Sequence, residues 1–131
     1  MSRATASFTV ESFDAVGQPD GADGETVLSS ALLTKVFTGD VEATSTVHML
    51  AAQTPVEGSA AYVALERIVG SVHGRKGSFV LLHAASHTDA RWEVVAGSPT
   101  GELTGLIGTA VLERHEDGSH TFTLDYELPD R

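Results

Sequence analysis

The chain has 131 residues, eight Lys and Arg against eighteen Asp and Glu, a formal charge of −10 and no cysteine. One domain with one sizeable core is expected at this length. The missing cysteines exclude disulfides, thiolate metal sites and thiol catalysis, and the acidity argues against nucleic acid and anionic membrane surfaces as partners. No apolar run approaches the ~20 residues of a membrane helix. The opening MSRATASFTVESFD has no apolar signal-peptide core, so a cytoplasmic location is expected.

In chain order, Ala4–Phe13 alternates with period two and is predicted as the first strand. Asp14–Glu25, containing GQPDGADG, is predicted as a long polar loop. Val27–Thr38 follows. A helix is possible over Thr26–Leu33, but Thr34–Thr38 favours a strand, and Gly39-Asp40 is a turn signal. Val41–Gln53 makes a third strand, closed off near Pro55. Ala60–Gly70, reading AAYVALERIVG, is the fourth. Gly74-Arg75-Lys76-Gly77 is predicted as a hairpin turn. Ser78–His87 is the fifth strand and Arg91–Ala96 the sixth. GSPTGELTG is a loop, assigned to the barrel mouth. Leu106–His115 and His120–Leu128 are the seventh and eighth strands, joined through Asp117-Gly118.

The fourth strand is apolar on both faces, with Glu66 in the middle of one and Arg67 in the middle of the other. A sheet with one solvated face would not read this way. A small closed barrel or a two-sheet core would. Eight short-spaced strands with no long helix point to an antiparallel up-and-down barrel, in which closure removes the exposed edges. The interior of such a barrel is filled by side chains or holds one small ligand.

Five blocks then carry a resemblance: FTGD (Phe37–Asp40), YVALERIVG (Tyr62–Gly70), GRKGSFVLLH (Gly74–His83), WEVVAGSPTGELTGL (Trp92–Leu106) and FTLDYEL (Phe122–Leu128). In this order they resemble the bacterial domain-of-unknown-function 3224 family. Its pattern has a second glycine where this chain has Pro99. The resemblance implies an allene-oxide-cyclase-like β-barrel. Barrels of that architecture include allene oxide cyclases, dirigent-type proteins and spirotetronate cyclases, which guide a reactive molecule into a ring without a cofactor. Fold alone does not carry function, so the chemistry follows only by analogy.

Strand phase proposes the inward face. Tyr62, Ala64, Glu66 and Ile68 share one side of the fourth strand, and Phe79, Leu81, His83, Ala85 and His87 one side of the fifth. Trp92 and Val94 pair off on the sixth, and His120, Phe122, Leu124 and Tyr126 on the eighth. Lys35 is in phase with Leu33 and Phe37. Glu66 and His83 are the candidate catalytic pair: a carboxylate among rings has its pKa raised by desolvation, and an adjacent imidazole shares or shuttles its proton. The competing readings are a buried structural cluster, in which Lys35 neutralises Glu66, and a Glu66 that faces solvent on a two-sheet core. Lys35, Tyr62, Phe79, Leu81, Trp92, Phe122 and Tyr126 are the candidate substrate-binding residues.

No metal site is expected among the six histidines. His83 and His87 lie about 13 Å apart along a strand, too far to share an ion at ~2 Å bonds. Ser98 has no nucleophile elbow, and the glycines of Gly97–Gly105 match no phosphate-binding fingerprint. The reading is therefore a cofactor-independent cyclase or isomerase acting on a small hydrophobic metabolite in the barrel lumen, in secondary metabolism. The alternatives are a non-catalytic lipocalin-like binding barrel and a filled structural module. A homo-oligomer is compatible with all three.

Overall fold

The structure is a computed structural model that describes residues 1–129. Its strands are β1 (Ser2–Asp20), β2 (Val27–Gly39), β3 (Val41–Gln53), β4 (Ala60–Val72), β5 (Arg75–Ser86), β6 (Ala90–Val94), β7 (Ile107–Arg114) and β8 (His120–Glu127). A 3-10 turn, Gly101–Leu103, lies between β6 and β7. Each strand pairs antiparallel with the next, and β8 returns to β1 from Ser2↔Tyr126 to Phe8↔His120. The result is the closed eight-stranded up-and-down barrel that the strand pattern predicted. None of its described helical segments is long and apolar enough to cross a membrane.

The period-two pattern becomes an inside and an outside. Ala4, Ala6 and Phe8 on β1, Ala64, Glu66 and Ile68 on β4, Phe79, Leu81 and His83 on β5, and Phe122, Leu124 and Tyr126 on β8 are buried, and the residues between them are more exposed. The lower half of the barrel, where β1 begins and β2 ends, is solid. Phe37 stacks near Phe8 at 5.4 Å and edge-on to Phe122 at 5.3 Å between ring centroids, with Ile68, Phe79 and Leu124 completing the layer. Each such side chain contributes about 1.5–3 kcal/mol by burial.

The Gly97–Gly105 loop lies at this lower end, not at the mouth. It is tied down by the Thr100 N–H to the Ser78 carbonyl at 2.8 Å and by the Ser78 N–H to Thr100 Oγ1 at 3.1 Å. Leu103 and Leu106 are driven into the core as a plug. The reason is apolar patterning: two leucines in a glycine-rich loop have nowhere else to be buried. The approach is close, because a Cβ on Gly77 would run into the Thr100 carbonyl. Gly77→Ala is therefore expected to cost about 1–3 kcal/mol by overpacking, read as a lower urea midpoint with an unchanged slope.

Three further expectations are corrected. Asp14–Asp20 is not loop but the second half of β1. After a bulge between Val10 and Ser12 it pairs with β2 from Ser12↔Thr34 to Val16↔Ser30, and again at Asp20↔Leu28. Pairing with β2 overrides its polar composition, and only Gly21–Thr26 remains a turn. The same pairing, with β3 on the other side, makes Val27–Leu33 strand and not helix. The hairpin between β4 and β5 turns at His73-Gly74, with φ of 49° and 79°, the two positive values a tight two-residue turn demands. Arg75 and Lys76 already belong to β5, opposite Val72 and Ser71.

This geometry shapes the mouth. Beyond Phe8, β1 has no β8 partner, and β6 pairs with β7 only through Trp92↔Ala110 and Glu93↔Thr109. The long strands β1–β5 rise past the short wall of β6–β8, so the inner face of β2–β5 is open at the top.

Candidate functional site

Midway up the barrel, Lys35, Ser45, Glu66 and His83 converge from β2, β3, β4 and β5. Glu66 is 0% exposed, His83 2% and Lys35 6%. A buried carboxylate is costly unless its oxygens are satisfied, and these are. Ser45 Oγ donates to Glu66 Oε2 at 2.6 Å. Glu66 Oε1 accepts from His83 Nε2 at 2.7 Å and from Lys35 Nζ at 3.4 Å. The Lys35 ammonium also lies 4.5 Å from the centroid of the Phe8 ring. Among the described residues, no buried side-chain nitrogen or oxygen lacks a partner.

From His83 a hydrogen-bonded path climbs to the mouth. His83 Nδ1 lies 3.3 Å from the Tyr62 hydroxyl, and Trp92 Nε1–H donates to that same oxygen at 3.3 Å. With Glu66 ionised, the pattern assigns the tautomer. His83 donates from Nε2 to Glu66, its Nδ1 accepts from the Tyr62 O–H, and the phenol oxygen accepts from Trp92. Above it is a cavity of about 390 Å³, lined by Tyr62, Met49, Ala51, Ala85 and His87 among others. It lies against the inner wall that the long strands raise above the short ones.

The electrostatics follow from this packing. Burial pushes the Glu66 carboxyl up, but the His83 hydrogen bond, the Lys35 charge and the Ser45 hydroxyl outweigh it and hold the group below its ordinary value. Desolvation raises it as the sequence reading expected, but the partners reverse the net direction. Burial pushes the Tyr62 phenol up; the Trp92 hydrogen bond opposes that shift and the Glu66 charge adds to it. Tyr62 thus keeps its proton at neutral pH.

A carboxyl with a depressed folded pKa stabilises the fold above its unfolded value and loses that contribution as pH falls through the folded one. Stability is therefore expected to hold from neutrality down to about pH 5, and then to fall below the ordinary glutamate value of ~4.3. In Glu66→Gln that component of the acid limb is expected to disappear, as read by chemical denaturation across a pH series.

The structure brings Glu66, His83, Lys35, Tyr62 and Trp92 together, with Leu81 directly across the β4–β5 pair from Glu66. Phe79, Phe122 and Tyr126 are elsewhere, in the packed lower half. Tyr126 bonds His73 Nδ1 at 2.5 Å, and His73 Nε2 lies 3.6 Å from the Asp40 carboxylate. Ser45 was missed by the sequence reading. Its signal was present: the inward phase of β3 is Val41, Ala43, Ser45, Val47, and a lone hydroxyl there faces the strand carrying Glu66. No group of three or more potential metal ligands occurs among the described residues.

Fold and site together define a small closed antiparallel barrel whose buried, fully paired charge cluster connects to an apolar mouth. The chain belongs to the DUF3224 family, described as a protein of unknown function, which it matches over residues 4–126. It is similar to the crystal structure of a protein of unknown function from that family in Shewanella oneidensis MR-1, at 38% identity over 99% of both chains with a TM-score of 0.91. No curated protein matches it.

Proposed function

We propose that this barrel binds a small apolar molecule at its mouth and moves a proton on it without a cofactor, as an isomerase or cyclase does. The observation that carries this reading is the unbroken path from Glu66 through His83 to Tyr62 beneath a cavity of about 390 Å³, a size suited to one small ligand. In the resting polarity the Tyr62 oxygen has a lone pair left to accept a proton from the ligand. As it does so, the phenol proton passes to His83 Nδ1. The imidazolium that forms is held by the Glu66 carboxylate, which is already ionised. Return of the proton to a different ligand atom completes an isomerisation, with no net change in the protein. The negative charge is left on the ligand, as an enolate when the ligand is a ketone, and the Trp92 N–H holds the neutral phenol oxygen in place. The rest of the rate comes from holding the ligand away from water.

The analogy with cyclising barrels supports the same class, on fold alone. A second reading, a non-catalytic binder, is favoured by the raised Tyr62 pKa, which keeps the phenol protonated, so that it accepts a proton only while giving up its own. One experiment separates them. Small apolar ketones and enols are screened by thermal shift and native mass spectrometry, and each binder is then incubated in D₂O and followed by NMR. Protein-dependent deuterium uptake at an acidic C–H supports proton transfer. Binding with no uptake supports the binder, and no binding at all removes both.

A further inference from the structure

Outward-facing residues of an antiparallel barrel are ordinarily polar, and over much of β2–β5 they are not. The register gives the rows. Leu28, Ala52, Ala61 and Ser86 lie side by side across β2–β5, and below them come Ser30, Leu50, Val63 and Ala84. The next row is Leu32, His48, Leu65 and Leu82, followed by Thr34, Thr46, Arg67 and Val80. Leu50, Val63 and Leu65 are each about half exposed, at 48%, 51% and 49%. Val16 extends the second row on β1. The surface is furrowed, with a groove of about 520 Å³ between Val16, Leu32, His48, Leu50, Val63 and Leu65. Single exposed apolar residues are ordinary, but a contiguous patch of this extent marks an interaction surface.

From this we infer that the outer face of β2–β5 is the interface through which two copies of this chain pair about a two-fold axis. Three observations select a second copy. The first is charge. The chain has eighteen acidic residues, yet these four rows contain no carboxylate, so two strongly anionic molecules can approach here with the least repulsion. The second is the rim. The central row ends at Asp14 on β1 and at Glu93 on β6, where Glu93 already pairs with Arg91 at 3.5 Å, while Arg67 lies inside the face. A two-fold, which turns the face onto itself, has both signs available to pair across the boundary. The third is area. At a strand spacing of ~4.8 Å and a rise of ~3.3 Å, the four strands β2–β5 over about eight residues present on the order of 500 Å². Two such faces bury about 1,000 Å² in total, the level a specific interface has to reach. The furrow accepts side chains from the partner, so two convex barrels can interlock.

The test is the mass of the full chain in solution, by light scattering after gel filtration and by sedimentation velocity. Wild type is expected at twice the 13.7 kDa of one chain. Leu65→Glu, a change at an exposed position, is expected to give a single-chain mass with an unchanged circular-dichroism spectrum. Val111→Glu, at an equally exposed residue on β7 away from this face, is expected to leave the dimer intact. A monomeric wild type overturns the inference. If that monomer floats with neutral phosphatidylcholine vesicles, the face belongs to a lipid surface. A dimer that survives Leu65→Glu, one lost equally in Val111→Glu, or a mass of three or more chains also overturns it. None of these outcomes bears on proton transfer at the mouth, which is read on the ligand.

Discussion

Replacing Lys35 with methionine is expected to destabilise the barrel by about 3–5 kcal/mol, the cost of leaving a buried charge without its counter-ion. The Glu66 carboxylate would keep Ser45 and His83, but it would lose the one permanently cationic group near it. Glu66→Gln is expected to be costly for the mirror reason, since the buried Lys35 charge would have only a neutral carboxamide and the Phe8 ring to face. The double variant Lys35→Met, Glu66→Gln keeps the shape and a neutral interior. The introduced carboxamide could still accept from His83 and bond Ser45. This variant is therefore expected to be more stable than either single one, with a coupling of up to about 3 kcal/mol in the cycle. Urea denaturation of the four proteins measures this. Strict additivity would show that the two groups do not sense each other, and with it the view of Lys35 as the neutralising partner would fail.

The second large effect is on chemistry. Once a turned-over ligand is found, Tyr62→Phe is expected to slow proton exchange on it by about 10²–10⁴-fold, the usual range for a positioned acid or base. Affinity should change little, because the ring still lines the mouth. Ala85→Trp is expected to abolish binding by filling the cavity that both residues line. A Tyr62→Phe loss of under about tenfold, with Ala85→Trp inactive, would assign the rate to confinement and leave the hydrogen-bonded path as scaffold. Exchange that persists in Ala85→Trp would place the reaction somewhere other than the mouth.

Much of the site was legible in the strand phases. Tyr62 and Glu66 fall two residues either side of Ala64 on β4, and His83 is in step with Phe79 on β5. A period of two places such residues on one face wherever their strands go, and the rings of that face require it to be the inner one. The pairing of Lys35 with Glu66 was available from the same phase. The path through Tyr62 to Trp92 was not, because it depends on relative height. Trp92 is level with His83 only through the β5–β6 register, and register is a property of two strands, not one.

Composition, alternation and turn residues by themselves determined that this chain is built of β-strands with an apolar face that carries a carboxylate and an imidazole; closure of the sheet put that face inside. Alternating burial is local and survives in any arrangement of the strands. Only the tertiary structure decided which end is closed. The Gly97–Gly105 loop and the Asp14–Asp20 segment read as polar and glycine-rich, yet one plugs the core with Leu103 and Leu106 and the other extends a strand along β2. Their fate was set by partners distant in the chain, which supplied the buried surface and the backbone hydrogen bonds that local composition lacked.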